Sequence, residues 1–225
     1  MKIQAVIFDM DGTLVDSLIY WDLLWKDIGV HFLNDPEFKP SEEVDRHVRT
    51  VVLDEAMIFI RDTYSIQATD EEIVRFAERN LDEFYRTYVK AKKGAIELLE
   101  YLKEQEIPVC IATATVGKCI PTSLQCCGLT DYFTDRVISC QDVGKGKDQP
   151  DVFLAAARLL GADVKNTVVV EDSCLALETA KKAGFHTIGI YDRYNLGHDR
   201  LEAASELYLG EGHDLTELVG VIEKM

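Results

Sequence analysis

Residues 3–8 form a short apolar run, rich in β-branched side chains and flanked by polar ones, the pattern of a buried strand. The period then changes. Leu18, Trp21, Leu24, Trp25 and Ile28 recur at helical spacing, with Asp16 or Ser17 placed to cap the start and Gly29 to end it. A loop carrying Pro36 and Pro40 follows, and residues 41–49 and 54–62 read as two short helices. Thr69-Asp70-Glu71-Glu72 has the form of a capping box. It opens a long helix with Ile73, Phe76, Leu81, Phe84 and Tyr88 inward. No strand pattern interrupts residues 17–89.

From Lys90 onward helix and strand alternate. Helices are expected over 95–106, 116–127, 150–160 and 173–183, the last ended by Gly184. Strands are expected over 107–112, 136–139, 167–170, 186–190 and 207–209, with a final helix from about Asp214. Repeated units of this kind imply an α/β domain, a doubly wound parallel sheet with helices on both faces. The first strand belongs to that sheet. The α/β core is therefore expected to be discontinuous, 1–16 and 90–225, with 17–89 an inserted all-α domain.

Composition narrows the function. Of 225 residues, 47% are hydrophobic and 28% charged, which suits a packed core. A formal charge of −16 argues against nucleic acid and anionic membranes as partners. An anionic substrate then needs local positive charge or a metal. No apolar run approaches the roughly 20 residues of a membrane span, and no signal-peptide pattern opens the chain. The cysteines (110, 119, 126, 127, 140 and 174) form no Cys-x-x-Cys pair and read as reduced thiols of a cytoplasmic protein. Scattered histidines offer no zinc spacing.

The candidate chemistry lies at strand ends, where open α/β sheets bind ligands. Asp9 closes the first strand, and Gly12 permits a tight turn after it. Asp9 and Asp11 repel each other unless a cation or proton intervenes, which suggests a Mg2+ site, a nucleophile with its proton donor, or both. Thr113 ends a second strand before a helix, as an N-cap or as part of a phosphate cradle with Ala114. Lys145 and Lys147, in a glycine loop before Pro150-Asp151, compete to neutralise charge. A third strand ends in Glu171-Asp172-Ser173, where Asp172 or Ser173 can cap the next helix or Asp172 can face the same edge as Asp9.

This order (Asp-x-Asp-Gly-Thr-Leu-Val-Asp-Ser, strand-end threonine, lysine, strand-end Glu-Asp) resembles the four motifs of the haloacid dehalogenase (HAD) superfamily across essentially the whole chain. The helical insert resembles the cap of the subgroup that holds phosphoglycolate phosphatase and beta-phosphoglucomutase. The resemblance selects Lys147, which stands at the family's offset from Pro150-Asp151. Two departures are Lys147-Asp148 for the usual Lys-Pro and the region of Leu177 for a usual glycine.

What the resemblance implies is a Mg2+-dependent phosphatase of a small-molecule phosphate monoester. Asp9 would attack phosphorus to give an aspartyl phosphate, and Asp11 would act as acid and base. The carboxylates of Asp9 and Asp172 and the carbonyl of Asp11 would hold Mg2+, with Glu171 in support. Thr113, the N–H of Ala114 and Lys147 would grip the phosphoryl group, and the cap would close over the site. Asp11 argues against a dehalogenase or a phosphonoacetaldehyde hydrolase. A phosphomutase is the rival within the subgroup, but Trp21 stands where the mutase has a histidine, and residues 49–53 are mostly apolar. A receiver-like phospho-acceptor or an idle binding protein on a related fold are rivals outside it. Arg46, His47 and Arg49 offer weak hints of substrate contact.

Overall fold

The computed structural model describes residues 3–49, 51, 53–115, 117 and 119–225, with only the backbone of Glu223. The chain divides into two compact units, Met1–Leu18 with Val89–Met225, and Ile19–Tyr88.

The first unit holds a parallel sheet. Its strands are β1 (Ala5–Phe8), β2 (Val109–Thr113), β3 (Val137–Ser139), β4 (Thr167–Glu171), β5 (His186–Ile190) and β6 (Leu207–Leu209). The order is β3-β2-β1-β4-β5-β6, every pairing parallel. β1, β2 and β4 are buried along their whole length. Coverage of both faces is why these runs are continuously apolar instead of alternating. β1 lies between β2 and β4, with Phe8 level with Ile111 on one side and Val170 on the other. Asp9 follows at once, its N–H donating to the carbonyl of Val170 at 2.9 Å. The strand order reverses at β1, and the first and fourth strands thus release their terminal acids at the place where such sheets bind ligands.

The helices are α5 (Ala95–Glu104), α6 (Cys119–Cys126), α7 (Cys140–Val143), α8 (Asp151–Leu159), α9 (Cys174–Ala183) and α10 (His198–Ala204). Ile7, Ala112 and Val169 of the sheet pack with Val152, Phe153, Leu177 and Phe185 in one core cluster. Gly184 ends α9 in the left-handed region (φ 96°). Two expectations change. The sequence pattern missed α7 and α10, and the helix expected from Asp214 is two short 3-10 turns, Leu215–Leu218 and Ile222–Lys224. Asp214 and Glu217 do make a capping box, but Gly220 takes φ 73° and breaks the run.

The second unit is helical: α1 (Tyr20–Ile28), α2 (Glu42–Val48), α3 (Leu53–Thr63) and α4 (Asp70–Thr87). Neither Asp16 nor Ser17 caps α1, whose N-cap is Ile19 with no side-chain bond. Gly29 is the C-cap of α1, as expected, but it stays in the right-handed helical region and does not stop the run. It continues as a wider turn over Gly29–Leu33 and stops at Asn34, in the left-handed region. A Cβ at Gly29 would lie 2.4 Å from the carbonyl oxygen of Asp35, so the returning chain demands this glycine. The Thr69–Glu72 capping box of α4 carries both of its bonds. On α4, Ala77 and Tyr85 are buried, Leu81 is half-buried, and Tyr88 is exposed with its ring stacked on Phe84. Trp25, Phe38 and Tyr64 make an aromatic cluster, and Trp25 Nε1 donates to Asp45 at 2.7 Å. No helix among the described residues is long and apolar enough to cross a membrane.

Candidate active site

Three acids converge where β1 and β4 end. One carboxylate oxygen from each of Asp9, Glu171 and Asp172 lies within 4.8 Å of the others, and all three residues are buried. Burial pushes the Asp9 carboxyl well above the usual carboxylate range; Lys147 opposes this, and Glu171, Asp172 and Asp11 add to it. For Asp172 burial is again the largest cause and lifts the carboxyl to about 8, with Glu171 and Asp192 adding to it and Lys92 and the Thr13 bond opposing. Such a group is penalised as it stands and is relieved by a cation. Its all-oxygen donor set has the chemistry a hard divalent ion requires. A Cβ at Gly12 would sit 2.3 Å from Asp172 Oδ2, and Gly12 has φ 84°. That glycine is there both for the turn and for the close approach of the acid.

Lys147 enters the same group. Its Nζ donates to Asp9 Oδ1 and, at 2.6 Å, to Glu171 Oε1. Burial alone would draw the ammonium down, but the two carboxylates more than offset it and hold Lys147 above the ordinary lysine range. Lys145 lies apart, half-exposed and paired with Asp151 at 2.9 Å. Asp11 stands outside the three-acid group, and its Oδ2 accepts a bond from Thr115 Oγ1. Thr113 is buried, and its Oγ1 accepts the N–H of Thr115 at 3.0 Å. The described part of α6 begins at Cys119, and Val116 and Lys118, where a helix capped by Thr113 would start, lie outside the described residues. Ala114 is exposed. Ser173, not Asp172, caps α9.

With the fold and these side chains in place, the comparisons are decisive. Residues 3–184 match the model of the haloacid dehalogenase-like hydrolases. The chain belongs to that family. This HAD-like hydrolase is similar to the phosphorylated carbohydrates phosphatase of Thermotoga maritima, 28% identical over 90% of this chain and 92% of that one. It is also similar to the beta-phosphoglucomutase of Bacillus subtilis, 26% identical over 95% and 92%. A crystal structure of a putative beta-phosphoglucomutase from Thermotoga maritima superposes with a TM-score of 0.80 over 99% of this chain and all of the other, at 24% identity. That last likeness speaks to fold alone.

Sequence reasoning missed several side chains that touch the hydrolase's acids. Thr13 Oγ1 and Asn195 Nδ2 donate to the two oxygens of Asp172, Thr115 reaches Asp11, and Lys92 pairs with the buried Asp192 at 2.7 Å. Of these donors, Thr13 lay within a motif read from the sequence. In the helical unit, Arg49 is engaged by Asp45 and Asp22, both at 2.9 Å, and His47 packs on Phe59. Thr50 and Val52 of the 49–53 stretch lie outside the described residues.

Proposed function

We propose that the chain is a Mg2+-dependent phosphatase of small phosphorylated metabolites, with phosphorylated carbohydrates the first class to test. The observation that carries this reading is the buried meeting of Asp9, Glu171, Asp172 and Lys147 at the strand ends. The names of the relatives support the substrate class.

In this reading a carboxylate oxygen of Asp9 attacks phosphorus. The ester oxygen leaves with a proton from Asp11, and an aspartyl phosphate remains. Asp11 then takes a proton from water as the water attacks phosphorus, and release of phosphate restores Asp9. Lys147, at bonding distance from Asp9, neutralises charge on the transferring group, and Thr113 and the Ala114 N–H line the same strand end. Asp9, Asp172 and the Asp11 carbonyl would hold Mg2+ with Glu171 beside them; bound there, the ion supplies charge neutralisation at the phosphoryl oxygens.

Hydrolysis is favoured over phosphomutase chemistry by Trp21, which cannot transfer a proton, and by Arg49, whose guanidinium is committed to two aspartates. The experiment is a screen of phosphorylated sugars and polyols with Mg2+, following phosphate release, for the native protein and Asp9→Asn. Phosphate release by the native protein and none by a folded Asp9→Asn is expected. Normal turnover by Asp9→Asn, or rapid conversion of beta-glucose 1-phosphate to glucose 6-phosphate without phosphate release, overturns the reading.

A further inference from the structure

The acids of the site are held differently. Lys147 serves Asp9 and Glu171. Asp172 is gripped by neutral donors, with Thr13 Oγ1 on Oδ1 at 3.0 Å and Asn195 Nδ2 on Oδ2 at 2.7 Å. The same Asn195 nitrogen also donates to the backbone carbonyl of Asp172 at 3.0 Å. Each carboxylate oxygen thus has a donor, and rotation of the carboxylate is opposed at both ends.

Asn195 is itself fixed, in the turn that follows β5. Its N–H donates to the carbonyl of Asp192 at 3.0 Å, and the Tyr194 N–H donates to Asp192 Oδ1 at 2.9 Å. Asp192 Oδ2 takes Lys92 Nζ at 2.7 Å, with Asp192 buried and the Lys92 side chain 12% exposed. The Asn195 Oδ1 accepts the N–H of Leu196 at 3.0 Å, which assigns the amide oxygen to the turn and its nitrogen to Asp172. The turn itself, Asp192 to Leu196, lies beyond residue 184, where the family match ends.

We propose that Asn195 is a positioning residue for Asp172, setting that carboxylate in the orientation in which it binds a divalent cation together with Asp9. The inference rests on the metal-site reading above. The chemistry favours an amide in this place. A lysine would neutralise Asp172 and compete with the cation, whereas an amide orients the carboxylate, leaves its charge, and leaves a second lone pair on each oxygen.

The test is calorimetric titration of MgCl2 alone into the full chain, for the native protein, Asn195→Ala and Asn195→Leu. Circular dichroism and thermal unfolding without Mg2+ check the fold. Removing such an outer partner weakens metal binding by about 10–100-fold, so Asn195→Ala should lose affinity in that range. Asn195→Leu, close in shape but without the amide donor, should weaken Mg2+ binding to the same extent as Asn195→Ala. The Mg2+ concentration for half-maximal phosphatase activity should rise by the same factor, while the KM for the ester at saturating Mg2+ stays within twofold. Mg2+ affinity within twofold of native in Asn195→Ala, or Asn195→Leu binding as tightly as native, overturns the proposal. If the native protein itself binds no Mg2+, the metal-site reading falls first, so the two failures are told apart.

Discussion

Replacing Lys147 by alanine removes the ammonium that joins two of the three clustered acids. The magnitude follows from its surroundings. The Lys147 side chain is 10% exposed, and its partners Asp9 and Glu171 are 8% and 1% exposed, so water does little to screen the charges left behind. Loss of one preorganised donor to a developing oxyanion typically costs about 3 kcal/mol, which is roughly a hundredfold in rate. Lys145 bonds Asp151 with side chains 52% and 36% exposed, and such pairs contribute about 1 kcal/mol or less. Lys147→Ala should therefore lose about two orders of magnitude in kcat/KM, and Lys145→Ala less than about fivefold.

The pH profile adds a second readout. Lys147 favours the ionised form of Asp9, the form that attacks in the proposed mechanism. Without it the Asp9 carboxyl rises further, so the acid limb of the profile should move to higher pH and the defect should be larger at pH 6 than at pH 8. The assay is Mg2+-dependent phosphate release from p-nitrophenyl phosphate or a screened substrate across that range. A Lys145→Ala defect larger than that of Lys147→Ala would refute the reasoning, and so would an acid limb that stays in place.

Two further outcomes are expected. Cys126 is exposed, whereas burial lifts the thiols of Cys110 and Cys127 to about 12 and about 11. Iodoacetamide at pH 8 should thus label Cys126 and spare Cys110 and Cys127 until the protein unfolds, read by peptide mass spectrometry; early labelling of Cys110 contradicts the burial assigned to it. Bonds from Lys93 and Thr216 hold Asp214 down at about 2, so its stabilisation is present above its usual value near 4 and fades as pH falls toward 2. Asp214→Ala should be less stable than native by about 1 kcal/mol in urea at pH 6, with the gap narrowing at pH 2.5; a gap that widens in acid reverses the sign and the assignment.

What was legible in the sequence was local. The buried strands announce themselves as β-branched runs, and the Thr69–Glu72 box names its own helix start because both partners lie within one turn. α10 was not legible. It has Leu201 and Ala204 as its buried residues and starts from a left-handed Gly197 with no side-chain cap, so neither period nor cap announces it. Tyr88 was read inward from its spacing to Phe84, yet stacking on Phe84 leaves it 53% exposed. Amphipathic rings follow such patterns loosely. In the site, the order of acids, threonine and lysine could be read from the chain. The bonds of Thr115 to Asp11, Lys92 to Asp192 and Asn195 to Asp172 could not, because they span 104, 100 and 23 residues and depend on where the turns place each donor.

Charge balance ties these parts together. Among the described residues, the buried acids are Asp9, Glu171, Asp172 and Asp192. Two lysines reach them, Lys147 at Asp9 and Glu171 and Lys92 at Asp192, with side chains 10% and 12% exposed. Four carboxylates against two ammoniums leave two negative charges in a poorly hydrated place, and uncompensated charge of that kind is costly. The raised values of Asp9 and Asp172 are the response of the protein alone, a tendency to take up protons. A single divalent cation at Asp9 and Asp172 would supply the missing charge without protonating either acid, and so leave Asp9 ionised for the proposed attack. That is the physical reason the proposed phosphatase should need its metal for chemistry and also gain stability from it. A rise in unfolding temperature with MgCl2, larger at pH 8 than at pH 6 because protons compete less there, is the corresponding sign.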